Sequence, residues 1–138
     1  MPKKITCLTV LLILFISSCT SNGVLTGSQR DAVLAYADPM TDNLINGMTA
    51  GSYAVFSKDF DDPMLKAMTE SSFNNMLLKI NTNEGAYQLH KVAQVTTQNK
   101  YIIVIYVVNF ERVKNVNMRV VFTASTPHKI SGLWFSQL

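Results

Sequence analysis

Tyr101-Ile102-Ile103-Val104-Ile105-Tyr106-Val107-Val108-Asn109-Phe110 is the stretch that decides the fold. It is β-branched and aromatic almost without a break. A strand with one wet face alternates apolar with polar residues, so this run reads as a strand with apolar neighbours on both faces. Residues after Gly85 fall into strand patterns beside it. Residues before Gly85 fall into helical patterns that cover it.

Upstream, Ala86 to Thr97 alternates, with Tyr87, Leu89, Ala93 and Val95 on one side and Gln88, His90, Gln94 and Thr96 on the other. Gln98-Asn99 suits a tight turn into the central run. Downstream, Lys114-Asn115 lies near the next turn. Val116, Met118, Val120 and Phe122 then oppose Asn117, Arg119 and Thr123 in a further strand. Thr126-Pro127-His128-Lys129 turns again into Ile130–Phe135. Short connections between consecutive strands imply an antiparallel meander. Helices ahead of the sheet make the chain α+β, with about three N-terminal helices packed on a curved four-stranded antiparallel sheet, cone-like in form.

The helical half begins at Gln29. Val33, Ala37, Met40, Leu44 and Met48 form one stripe up to Gly51, which suits a C-terminal cap. Pro39 interrupts this stripe. Either Asp38-Pro39 ends one helix and starts another, or one long helix is kinked there. Ser52 can cap a short helix over residues 53–59. Thr69 caps a further helix over residues 70–80, whose Phe73, Met76, Leu77 and Ile80 share one face.

The N-terminus reads as an address. Met1-Pro2-Lys3-Lys4 is a basic head, Ile5 to Ile16 is apolar apart from Thr6 and Thr9, and Ser17-Ser18-Cys19 closes it with small residues. This is the plan of a secretory signal over residues 1–18, too short to span a bilayer. Ile16-Ser17-Ser18-Cys19 resembles the bacterial lipobox. That resemblance implies cleavage before Cys19 and acylation of its thiol by fatty acids such as palmitate. It also implies a lipoprotein of the cell envelope, anchored in a membrane and facing away from the cytoplasm. Two or more acyl chains anchor stably where one does not. Residues 19–29 then read as the lipidated cysteine and a Ser-, Thr- and Gly-rich tether, whose nine residues Thr20–Ser28 span roughly 15–18 Å on average. Residues 30–138 form the single domain.

Composition excludes several classes. Apolar content of 48% with 15% charged residues is globular. Loss of Lys3 and Lys4 with the signal lowers the formal charge of +3 by two, to +1. The remaining basic residues are scattered, so a nucleic-acid partner is not expected. Both cysteines, Cys7 and Cys19, precede the domain, which excludes a disulfide framework, a thiolate metal site and a cysteine nucleophile within it. Asp59-Phe60-Asp61-Asp62-Pro63 has acidic spacing reminiscent of a calcium loop. Pro63 and Met64 stand where that loop needs an oxygen ligand and a glycine, so the segment reads as a solvated turn. His90 and His128 read as solvated, with no spacing that supports a metal site. No metal or cofactor is expected.

Three further stretches carry a family resemblance: residues 36–44 (YADPMTDNL), residues 53–61 (YAVFSKDFD) and residues 129–135 (KISGLWF). Together they resemble a small bacterial and archaeal domain family of unknown function, within the nuclear-transport-factor-two-like superfamily. The resemblance implies an α+β cone over about residues 30–138 and a homodimer formed through the sheet. It brings no catalytic residues. The wider superfamily holds isomerases, dehydratases and ligand-binding domains alike, so fold does not choose among them.

The cone interior is the natural ligand site. Tyr36, Tyr53, Phe56, Tyr106 and Trp134 are the candidate lining, whether as pocket wall for a small apolar ligand or as core aromatics. The favoured function is a noncatalytic small-ligand-binding or protein-interaction role at the membrane surface. The alternative is a small-molecule enzyme of the isomerase or dehydratase kind. It would use a buried carboxylate and hydroxyl, Asp38 or Asp42 with Tyr36, Tyr53 or Tyr106. Only one face of Tyr101–Phe110 can meet the helices. Val92, Val121 and Leu133 or Trp134 are expected to extend its other face into an interface.

Overall fold

The computed structural model describes residues 22–136, and the expected signal over residues 1–18 and Cys19 lie outside them. The chain is α+β. A short strand β1 (Gly23–Val24) is followed by helices α1 (Gly27–Ala50), α2 (Tyr53–Phe56), α3 (Asp62–Ala67) and α4 (Glu70–Lys79), then a π-helical turn (Ile80–Glu84). Strands β2 (Tyr87–Gln98), β3 (Tyr101–Phe110), β4 (Val116–Thr123) and β5 (Ile130–Phe135) complete it. The sheet is antiparallel throughout, in the order β1-β2-β3-β4-β5. The decisive run is therefore the central strand. Among the described residues no helix is long and apolar enough to cross a membrane.

The fifth strand comes from the segment whose composition suggested a tether. Gly23 and Val24 lie opposite Thr97 and Thr96, and the Leu25 N–H donates to the Val95 carbonyl at 2.8 Å. Backbone pairing needs no particular side chain, which is why Gly and Val in a polar stretch gave no strand signal.

α1 is one helix through Pro39. Ala35 and Pro39 are both exposed, so the carbonyl that proline leaves unbonded faces water and the helix continues. Its buried side is Val33, Ala37, Thr41, Leu44, Ile45, Gly47 and Met48. Gly51 ends it in the left-handed region (φ 64°), and its N–H reaches the Gly47 and Met48 carbonyls. Ser52 and Thr69 cap α2 and α4, accepting from the Val55 and Ser72 N–H groups. α3 has no apolar periodicity to announce it. Asp61 caps it, accepting from the Met64 N–H at 2.8 Å. Asp59 accepts from the Asn43 side chain at 2.8 Å, so two of the acidic residues of this turn have structural work.

β2 departs from simple alternation. Its pairing with β3 slips between Tyr87 and Leu89 and again between Val92 and Gln94. Each slip is a bulge, which moves the following side chains to the opposite face. By register the inner face of β2 is Tyr87, His90, Val92, Val95 and Thr97, opposite Phe110, Val108, Tyr106, Val104 and Ile102 of β3. His90 therefore points inward, and Leu89 points outward with 49% of its surface exposed. Val92 belongs to the inner face, not the outer one. Val121 and Trp134 do lie outside, through the pairs Ile103–Val121 and Arg119–Trp134.

α2 meets α1 at Gly47. A Cβ there would collide with the backbone of Phe56. A backbone cannot step aside as a flexible side chain can. Gly47→Ala should cost about 1–3 kcal/mol or more through overpacking. Chemical denaturation should show the lowered midpoint, and an unchanged midpoint would mean that the α1–α2 contact is loose.

Candidate functional site

A polar cluster lies between α1 and the inner face of β2 and β3. The Tyr106 ring is 0% exposed, and its hydroxyl donates to Asp38 Oδ1 at 2.9 Å while accepting from Thr41 Oγ1 at 3.2 Å. Asp38 and Thr41 stand three apart on α1, one helical step on the same side. Burial, first of all, pushes the Tyr106 hydroxyl far above its ordinary value, and the nearby Asp38 and Asp42 charges add to this against the Thr41 bond. Tyr106 is thus a neutral donor with its one proton committed to Asp38.

A second chain of contacts runs beside it. The Tyr87 hydroxyl lies 2.7 Å from His90 Nδ1, and His90 Nε2 lies 3.7 Å from Asp42 Oδ1. The Tyr87 contact is a hydrogen bond whose donor is set by the imidazole tautomer, while the Asp42 contact is longer than a hydrogen bond. The His90 ring meets Tyr106 edge-on at 5.3 Å, which joins the two groups. Burial pushes the Tyr87 hydroxyl up, and Asp42 pushes it the same way. The Asp42 side chain is 62% exposed, so its attraction to His90 is weak and screened.

The five aromatic candidates do not converge on one cavity. Tyr36 stacks on His128 with ring centres 3.7 Å apart and meets Phe122 edge-on. Burial pushes its hydroxyl up. His128, in its turn, is therefore a packed residue, and its Nδ1 lies 3.0 Å from the Thr123 carbonyl oxygen. Tyr53 donates to the Met68 carbonyl at 2.7 Å and packs with Phe56 on Phe73. Phe56 is core. Tyr106 sits in the cluster above. Trp134, 54% exposed, lies over Gly132 on the outer face with the Arg119 guanidinium 5.4 Å from its ring. Of the proposed carboxylate–hydroxyl pairs, Asp38 with Tyr106 forms.

Open space lies elsewhere. A large cleft, about 510 Å³, runs between α4 with its π turn and the edge strand β5. Met76, Ile80, Leu133, Trp134 and Phe135 form its apolar wall, and Ser72, Asn75, Lys79, Asn83 and Glu84 its polar rim. A second, about 360 Å³, lies between the C-terminal end of α1, α4 and the start of β2, where Ile45, Met48, Leu77, Ile80, Tyr87 and Phe110 meet. A third, about 320 Å³, separates α3 from β5. Arg112 holds the shape of the first. It donates to the carbonyls of Asn81, Thr82 and Asn83, groups that the helix end leaves unpaired. Of the five candidate pocket residues read from the sequence, Trp134 alone lines this cleft. A π turn has no residue signature, and Arg112 is distant in sequence from the carbonyls it binds. Among the described residues no three His, Cys, Asp or Glu side chains are grouped to hold a metal ion.

The family model described as "Protein of unknown function (DUF3887)" matches residues 41–133. The chain belongs to this family. No curated protein and no solved structure matches it. The DUF3887 match takes in Thr41, Asp42, Tyr87, His90 and Tyr106 of the cluster and leaves Asp38 outside. It also ends at Leu133, just before Trp134 and Phe135 of the large cleft.

The raised tyrosines fix an alkaline prediction. A hydroxyl raised above its ordinary value of 10.0 keeps its proton in the fold while the unfolded chain releases it. Stability is therefore fully present below pH 10 and falls as pH rises above it. Tyr106→Phe should cost about 1–2 kcal/mol at neutral pH through the lost hydrogen bonds. It should also make the alkaline decline shallower. Urea unfolding across pH 8–11 checks both. Equal alkaline slopes in the two proteins would show that Tyr106 ionises freely.

Proposed function

We propose that this chain is a lipid-anchored, extracytoplasmic binding domain without catalysis of its own. The observation that carries the reading is the α4–β5 cleft. Its volume of about 510 Å³ lies within the range of small-molecule sites, and an apolar wall with a few polar groups at the rim is how such sites are built. It suits a ligand with an apolar body and one polar end, met by Lys79 or by Asn75 and Asn83. The anchor rests on Ile16-Ser17-Ser18-Cys19 behind a basic head and a short apolar run. Kinship with the nuclear-transport-factor-two-like superfamily belongs to the same proposal. Helices ahead of an antiparallel sheet with a twice-bulged long strand support it.

The outer sheet face supports a homodimer as part of this reading. Tyr101, Ile103, Ile105 and Val107 of β3 lie there with Val121. Among the described residues no helix or strand packs over them, although Ile103 is only 7% exposed. The catalytic alternative is favoured by one observation, the 2.9 Å bond between Tyr106 and Asp38. That bond also weakens it. The one hydroxyl proton is committed to Asp38 Oδ1, so Tyr106 has no second proton to offer a substrate.

Two measurements test the reading. The dye 8-anilinonaphthalene-1-sulfonate, an apolar body with one anionic group, should bind saturably with energy transfer from Trp134, the sole tryptophan. Asn75→Trp, at an exposed position on the rim, should fill the cleft and weaken binding about tenfold, or about 1.4 kcal/mol. Unsaturable binding, or binding that Asn75→Trp leaves unchanged, would count against the cleft. Sedimentation should give a dimer that Ile105→Lys converts to monomer, and a wild-type monomer would remove the homodimer.

A further inference from the structure

Building on the proposed acylation of Cys19, we infer that the domain stands on the membrane by the end that carries the β2–β3 hairpin. The two clefts walled by α4 lie away from that end, one at mid-sheet and one at the far end, and open to the aqueous compartment. The partner of the hairpin end is a lipid surface, and the ligand reaches the clefts from solution.

The chain becomes fixed beside the hairpin tip. Gly23 and Val24 pair with β2, and the Asn99 N–H donates to Asn22 Oδ1 at 2.9 Å, which ties the start of the fold to the hairpin tip. Cys19 is three Cα steps before Asn22. At 3.8 Å per step, covalent geometry holds the two within about 11 Å whatever path the chain takes. A nine-residue tether would have let the domain tumble, whereas this one keeps the hairpin end at the headgroups.

The strand direction then places the clefts. β3 runs from Tyr101 beside the hairpin tip to Phe110, nine steps of 3.3–3.4 Å, or about 30 Å. Phe110 and Tyr87 line the second cleft, and Ile80 is common to it and the first. Leu133 and Phe135 of the first stand level with Val104 and Tyr106, three and five steps from Tyr101, so that cleft runs from mid-sheet toward the far end, where Ile80 and Glu84 lie. The second site therefore lies at the far end of the sheet, and the first begins about 10 Å beyond the hairpin tip, clear of an acyl chain that remains in the bilayer.

Charge does not hold this orientation. Arg30, Lys58, Lys100 and Lys129 lie toward the hairpin end. Asp31 stands 3.7 Å from Arg30, and the loop bearing Asp59, Asp61 and Asp62 is bonded to Ile130, next to Lys129. The balance there gives no net pull toward anionic lipid. The anchor and its short tether are sufficient, with Val24, 60% exposed, beside them.

The test uses the mature acylated protein in vesicles. Cys7 leaves with the signal and Cys19 is acylated, so one introduced cysteine takes a fluorophore alone. Lys100→Cys reports the hairpin end and Leu78→Cys, on the exposed side of α4, the far end. Headgroup-nitroxide phosphatidylcholine should quench the first several-fold more than the second. The difference should be equal in neutral vesicles, in vesicles with phosphatidylglycerol, and at high salt. Equal quenching at both positions, or a difference confined to anionic vesicles, would overturn the inference while leaving the anchor intact. An intact mass without acyl chains would overturn the anchor and the orientation together.

Discussion

The inner face of β3 is the surface on which the rest of the domain depends. Val104, Tyr106 and Val108 have no exposure at all, and each is flanked by buried partners from β4: Val120, Met118 and Val116. Full burial of an aliphatic or aromatic side chain contributes about 1.5–3 kcal/mol, so these three cross-strand pairs outweigh any polar contact in the molecule. The helices supply the lid that keeps water from them. Leu44 and Ala37 of α1, Phe56 of α2 and Phe73 of α4 are the buried faces of that lid.

A purely apolar contact would leave α1 free to slide or rotate on the sheet. Tyr106 removes that freedom. Its hydroxyl must find partners because an unpaired polar group in the core costs about 1–3 kcal/mol, and only Asp38 and Thr41 supply them. The same bonds that resemble the start of a catalytic site therefore set the register of α1. His90 reinforces this from β2, since it touches both the Tyr106 ring and Asp42. The cluster orders the fold through direction, while the apolar face supplies most of the energy.

How much of this was legible in the sequence follows from which interactions are local. The Tyr101–Phe110 run declared β3 because unbroken β-branched residues have few other solutions. Thr69 and the Phe73, Met76, Leu77, Ile80 spacing declared α4, since capping and periodicity act within a few residues. The orientation of His90 was not legible, because a bulge is a mismatch between two strands and leaves no mark on one. β1 and α3 were hidden for a related reason. Gly23–Val24 exists only by pairing with β2, and α3 stands on the Asp61 cap and the packing of Met64. Asp38 with Tyr106 was among several possible pairs, and a sequence separation of 68 residues lies between its members.

The large cleft owes its existence to the way α4 is attached. Of its ten residues only Phe73 is buried; Met76 and Leu77 are half-buried, and the rest of the helix is held mainly from its ends. At the start Thr69 caps it. At the finish the π turn carries the chain one residue further round than an α turn would, and Arg112 takes up the carbonyls left behind. A helix anchored so firmly at its end and so lightly along its length does not close down on β5. It leaves Met76 and Ile80 facing Leu133 and Phe135 across open space instead of filling it. Few buried contacts also make a helix the element that moves most cheaply. The wall of the cleft is thus the part of the lid that can adjust, while β3, Tyr106 and α1 stay fixed behind it.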